Sequence, residues 1–184
     1  MLDASTDSPL PRFLQQSPSL LLTESDTFGI ELDGNYQPTD YLTLSGNFTY
    51  QDAKFMGDSP TAINGKRPDR LPKMLANVGA QVNTNGFDAS VFWNHQSKTF
   101  QDASNNVPLF AYSIWRAEAG YTFDSLGAEN KLRFSVGVWN LLNSQGLAEG
   151  NPRAGAIQTG GTGAYFNARP ILPRRITAKL TFDF

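Results

Sequence analysis

The sequence predicts an all-β protein, an antiparallel transmembrane β-barrel segment, and three observations predict it. Runs of apolar–polar alternation recur from Phe28 to Phe184. The connections between those runs are alternately short and long. Aromatic side chains gather beside the short connections, on the apolar parity. A period of two marks a strand, because successive side chains leave the backbone on opposite faces. Short turns at one end, long loops at the other and an aromatic girdle are the pattern of a barrel that crosses a membrane.

Residues 1–26 carry Pro9, Pro11 and Pro18 among many Ser and Thr, and read as loop or the remnant of a preceding strand. The first strand, Phe28 to Tyr36, sets Ile30, Leu32 and Tyr36 against Glu31, Asp33 and Asn35. Gln37-Pro38-Thr39-Asp40 is a tight turn. The second, Tyr41 to Phe55, sets Leu42, Leu44, Phe48 and Tyr50 against Thr43, Ser45, Asn47, Thr49 and Gln51. A longer connection from Met56 to Pro72 follows. Met74 to Val82 forms a third strand, and Asn85-Gly86 closes a hairpin onto a fourth, Phe87 to His95.

After a loop through Asn105 and Pro108, Leu109 to Phe123 reads as the fifth strand, with Ala117, Ala119, Tyr121 and Phe123 on one face. Residues 124–130 turn the chain. Leu132, Phe134, Val136 and Val138 then oppose Arg133, Ser135, Gly137 and Trp139 in the sixth. Asn143 to Pro173 reads as one Gly-rich loop. The seventh strand, Arg174 to Phe184, sets Ile176, Ala178, Leu180, Phe182 and Phe184 against Arg175, Thr177, Lys179, Thr181 and Asp183.

A water-exposed strand does not need an apolar row that runs to its last residue. Lipid offers the backbone no hydrogen bonds, so only a closed barrel can present strands to it. Strands of about 9–11 residues suffice to cross, and these reach that length. The competing fold is a soluble antiparallel sandwich, whose half-buried strands also alternate. It gives no reason for aromatics to cluster at the short-turn end.

Composition narrows the chemistry. The 184 residues have a net charge of −2, so no basic field draws nucleic acid. The chain has no cysteine and one histidine, His95, which excludes disulfides and His/Cys metal sites. His95 sits on the apolar parity after Trp93 and reads as a girdle or loop residue, not a general base. Gly160-Gly161-Thr162-Gly163 lacks the Lys-Ser/Thr of a phosphate loop. The chain is therefore expected not to be an enzyme and to need no cofactor.

Binding is the better reading, on the long-loop side. Lys66, Arg67, Arg70 and Lys73 cluster in one loop, and Arg153, Arg169, Arg174 and Arg175 mark another. Guanidinium forks suit the anionic oxygens of a ligand, or lipopolysaccharide phosphates, or loop carboxylates. Trp139, Tyr165 and Phe166 can stack on a ligand or pack the loops and lumen wall. The candidate ligand residues are Arg67, Arg70, Trp139, Arg153, Tyr165 and Arg169.

Several stretches resemble one family. GIELDGNYQPTDYLTLSGNFTYQDAKF, residues 29–55, resembles a hairpin common in TonB-dependent outer-membrane receptors. NGKRPDRLPKMLANVG is similar to that family's loop leading into a strand, and VGVWNLLN to one of its strand ends. EGNPRAGAIQTGG and YFNARPILPRRITAKLTFDF resemble its final loop and strand. The resemblance covers roughly residues 27–184 and implies about seven strands of a larger, 22-stranded barrel. It implies that Leu180, Phe182 and Phe184 are the signal read by the barrel assembly machinery.

It further implies active uptake of a scarce nutrient, a ferric siderophore first, in the cell outer membrane. The expected partners are outer-membrane lipid, an iron chelate or other small ligand, and TonB acting through a plug domain. Neither that plug nor a TonB-engaging segment lies within these 184 residues, so the expectation is the C-terminal third of a receptor. The alternative is a small passive outer-membrane pore or an adhesive barrel, closed by an eighth strand or by oligomerising.

Overall fold

The computed structural model describes residues 24–57, 62–123, 131–152 and 166–183. Within them lie β1 (Glu24–Thr39), β2 (Leu42–Met56), β3 (Met74–Thr84), β4 (Phe87–Gln96), β5 (Thr99–Phe100) and β6 (Pro108–Leu109). β7 (Tyr112–Phe123), β8 (Lys131–Trp139), β9 (Leu147–Pro152), β10 (Phe166–Pro170) and β11 (Arg175–Asp183) complete the set. Seven of these strands form one sheet in the order β1-β2-β3-β4-β7-β8-β11, and every neighbour is antiparallel. They are the seven alternating runs of the sequence.

Register turns seven separate alternations into two faces. One row runs Tyr36, Leu44, Ala80, Val91, Ala117, Val138, Ile176, each residue directly opposite the next. The next parallel row toward the short turns holds Leu42, Val82, Ala89, Ala119, Val136 and Ala178. Directly paired residues point to the same side, so the apolar sets add into one continuous apolar face. The opposite face is polar. On it Asn77 donates its amide to Asn47 at 2.7 Å and accepts from Asn94, while Arg133 holds Asp88 at 2.7 Å.

Nothing described packs over the apolar face. Phe28 is 66% exposed, and Ile176 and Leu180 are each 67% exposed. The buried hydrophobic side chains among the described residues are few: Ala53, Ala76, Leu109 and Ile114. A soluble sandwich would bury its apolar rows between two sheets. Here the sheet is a single layer, and β1 and β11 are its open edges among the described residues.

Turn chemistry explains the tight connections. Asn85 and Gly86 both take positive φ, 46° and 78°, as a two-residue type I′ hairpin demands. Gly86 is also pressed against β7, because Thr122 N–H donates to its carbonyl and an added Cβ would stand 2.6 Å from Thr122 O. On the polar face Gly79 makes room for its neighbour, since a Cβ there would meet the Phe92 ring at 2.5 Å.

Three details differ from the sequence reading. β1 begins at Glu24, so the strand includes the last residues of the stretch read as loop; Glu24 to Thr27 pair with Met56 to Ala53. Leu109 is not part of the fifth strand, because Pro108–Leu109 turns away to pair with Thr99–Phe100. The stretch from Asn143 to Pro173 is not plain loop, because β9 and β10 form a second hairpin within it. Their Ala, Gly and Pro content hides strand periodicity, and pairing there depends on backbone bonds and a Glu149–Arg169 cross-strand contact.

Candidate functional site

The long connections collect at one end of the sheet and are clasped to one another through backbone and amide groups. Arg67 N–H donates to Asn105 Oδ1 at 2.9 Å, and Asn105 Nδ2 returns a bond to Arg67 O at 2.8 Å. Arg70 N–H donates to Phe100 O at 2.6 Å. Asn105 itself is shaped by its own loop: the Asp102 carboxylate accepts from Asn106 N and Val107 N at 3.1 and 2.8 Å. Gln101 accepts from Gly150 N at 3.3 Å and ties this loop to the β9–β10 hairpin.

The Arg67 guanidinium is turned inward. Nη2 donates to Leu71 O at 3.1 Å and Lys98 O at 3.4 Å, and the group lies 5.6 Å from the Phe100 ring centroid. Lys98 Nζ stands 4.8 Å from the same ring. Burial lowers the Arg67 pKa from its usual value, against the opposing pull of the Asp52 carboxylate. Arg67 stays charged at any physiological pH. Its fork is largely used in holding the loop.

Trp139 and Arg169 are brought together. Both line a cavity of about 300 Å³ beneath the β9–β10 hairpin, with Tyr112, Ile114, Ile171 and Leu172. Tyr112, Ile114 and Trp139 rise from the polar face, and the hairpin roofs them. Arg169 pairs with Glu149 at 3.2 Å, an exposed contact that leaves its fork available to a competing anion. Arg67 and Arg70 belong to the other loop pair and line no part of this cavity. Arg153 and Tyr165 lie outside the described residues.

Asn140, which is not among the candidate ligand residues, organises the turn that follows β8. It is 0% exposed, takes φ 52°, donates to Ser144 O and Leu172 O at 2.9 Å each, and accepts from Ser144 N at 2.8 Å. Asn143, at φ 54°, accepts from Arg174 N at 3.0 Å. Together the two asparagines moor the end of β8 to the segment leading into β11. The signal was present in VWNLLN: two Asn flanking a Leu pair after a strand are residues that tolerate the left-handed region.

His95 lies near the end of β4. Its ring stacks on Trp93 at 5.6 Å and its Nδ1 is 2.9 Å from Ser113 Oγ, on the apolar face. Among the described residues no cluster of three His, Cys, Asp or Glu groups can hold a metal. Leu180 and Phe182 are exposed on the apolar face, and Phe184 lies outside the described residues.

Residues 4–141 match the family model "TonB dependent receptor-like, beta-barrel". The chain belongs to the TonB-dependent receptor family. Its fold is shared with solved receptors. The ferric yersiniabactin uptake receptor FyuA of Yersinia pestis superposes with a TM-score of 0.69 at 18% identity, over 88% of this chain and 24% of that one. The ferric preacinetobactin receptor BauA of Acinetobacter baumannii gives 0.65 at 23% identity, over 88% and 22%. The copper transporter OprC gives 0.58 at 16% identity, over 88% and 24%. The chain thus spans about a quarter of the length of these solved structures. No curated protein matches. Membership fits the open sheet: the described strands form an antiparallel layer of seven that matches a segment of a receptor barrel.

Proposed function

We propose that this chain forms the C-terminal part of the wall of an outer-membrane receptor that actively takes up a scarce nutrient, a ferric siderophore in the first instance. The observation that carries this is the roofed cavity at the long-loop end, where an aromatic floor meets a guanidinium. An iron chelate is a bulky, oxygen-rich, often anionic ligand. Trp139 and Tyr165 would stack against it and Arg169 would hold its oxygens, with Arg70 and Arg153 as further cations from the loops, while Arg67, its fork already on loop carbonyls, would shape its loop. Solved relatives of the same fold include receptors for ferric yersiniabactin and ferric preacinetobactin, which favours iron, while a copper transporter among them keeps the metal itself open to test.

In this reading the exposed apolar face meets outer-membrane lipid, and Leu180, Phe182 and Phe184 present the signal for the barrel assembly machinery. TonB acts through a plug domain supplied by the complete receptor. The chain does no covalent chemistry. A passive pore or adhesive barrel is less well supported, because the family is one of transporters.

The test is uptake by cells whose receptor carries this segment, using radiolabelled ferric chelates of catecholate, hydroxamate and citrate type, and cupric ion. Energy-dependent accumulation of one ferric chelate, reduced by Trp139→Ala, is the expected result. Accumulation of copper alone would replace the iron reading. Solute entry that persists without cell energy would replace active uptake with a pore.

A further inference from the structure

The polar face carries a second basic site away from the loop arginines. Arg116, on β7, sits between two aromatic rings supplied by its strand neighbours. Register places Phe92 directly opposite it on β4 and Trp139 directly opposite it on β8. The guanidinium carbon lies 5.4 Å from the Phe92 centroid and 5.2 Å from the Trp139 centroid. Each ring attracts the cation, and the pair holds the side chain in one place. Its Nε is buried without a hydrogen-bond partner, and Arg116 makes no ion pair among the described residues.

The next residue in the same row is Arg175, directly opposite Trp139 on β11. Arg116, Trp139 and Arg175 line one cavity of about 260 Å³ on the polar face. Glu118 also lines it, but its carboxylate is turned toward Arg133, at 3.8 Å. The contrast with Arg133 is informative. The charge of that guanidinium is answered by Asp88 at 2.7 Å as well as by Glu118, although its Nη1, like Arg116 Nε, is buried without a hydrogen-bond partner. Arg116 and Arg175 have no such answer from the described residues, yet Arg116 has been immobilised at the cost of leaving a donor unsatisfied. A buried donor without an acceptor is costly, and a charged one more so. Arg116 Nε itself is closed off from solvent, so it is the terminal guanidinium nitrogens, absent from the buried unpartnered atoms, that an acceptor from outside would meet.

We propose that Arg116 and Arg175, on either side of Trp139, form a two-guanidinium site on the polar face that takes a carboxylate. The carboxylate belongs either to a free small acid or to an acidic side chain of a polypeptide lying against the sheet. The chemistry is the same: planar forks matched to planar oxygens, beside an indole wall that sheds water. The proposal does not rest on the iron-chelate reading. It requires only that this face be open to water or to a polar partner.

Trp139 reports on the site. The chain has three tryptophans, and Trp93 and Trp115 stand opposite each other on the apolar face. In the full chain carrying Trp93→Phe and Trp115→Phe, folded in detergent micelles, Trp139 fluorescence is followed during titration with citrate and, separately, with a tetra-aspartate peptide. Choline chloride at matched ionic strength is the control. A saturable change beyond the control is expected with at least one of the two. Arg116→Gln should weaken it about tenfold or more and Arg175→Gln about threefold, consistent with loss of charge-assisted bonds. Lys179→Gln, a lysine of the same face outside the cavity, should leave it within about twofold.

Saturation by citrate assigns the site to a free acid, and saturation by the peptide alone assigns it to a polypeptide. No saturable change with either, or unaltered binding by Arg175→Gln and Arg116→Gln, overturns the proposal. Arg175 is exposed, so its variant keeps the test decisive even where Arg116→Gln does not fold.

Discussion

Replacing Val78 by arginine separates a lipid-facing sheet from any water-soluble arrangement. Val78 is the fifth of the eleven residues of β3, midway along the strand. It lies in register with Gly46 and Trp93 on the apolar face and is 52% exposed. With a rise of about 3.3 Å per residue and a tilt of roughly 40°, the middle of such a strand falls near the bilayer midplane. An arginine on the lipid face at that depth costs about 2–4 kcal/mol. Gln81→Arg, three residues on and on the polar face, should stay within about 0.5 kcal/mol of the parent.

The assay is guanidinium unfolding of the full chain in phosphatidylcholine vesicles, followed by tryptophan fluorescence. The expected result is a gap of roughly 2 kcal/mol or more between the two variants. Equal stabilities would refute the assignment of the two faces. On an ordinary wetted surface both substitutions would be nearly silent.

Further expectations follow from single contacts. Asn140→Ala removes three hydrogen bonds from a fully buried side chain and leaves backbone groups unpaired, so destabilisation of about 2–4 kcal/mol is expected; chemical denaturation measures it, and hydrogen exchange should show the Ser144 amide losing protection first. Gly86→Val forces a β-branched residue to φ 78° and a Cβ against Thr122 O, which should cost about 2 kcal/mol or more and shift the unfolding midpoint accordingly. Gly79→Leu should displace the Phe92 ring and destabilise by about 1–3 kcal/mol, visible in the same unfolding curves. Glu149→Gln should change stability by less than about 1 kcal/mol, since its ion pair with Arg169 is exposed.

Much of the sheet was legible because its physics is local. Ile176, Ala178, Leu180 and Phe182 share a parity that needs no partner to be seen, and register preserves it across all seven strands. Asn85-Gly86 named its own turn. The loop hairpins were not legible, because β5 and β6 are two residues each and β9 holds Ala148 and Gly150, which carry no periodic signal. The candidate site was legible in kind more than in place. Trp139 and Arg169 share a cavity, but Arg67 spends its fork on Leu71 and Lys98 carbonyls, a fact set by loop geometry. Arg116 stood out in no motif. Its significance appears only when register sets Phe92 and Trp139 beside it.

The two-faced sheet is the claim that everything else requires, and site-directed spin labelling tests it directly. The chain has no native cysteine, so single labels at Val78→Cys, Val82→Cys, Asn77→Cys and Gln81→Cys report one site each. In vesicles the first two should be open to oxygen and closed to a water-soluble nickel chelate, and the last two the reverse. Labels at all four positions with the same accessibility, or with Val78 and Val82 sealed from both reagents, would contradict the account.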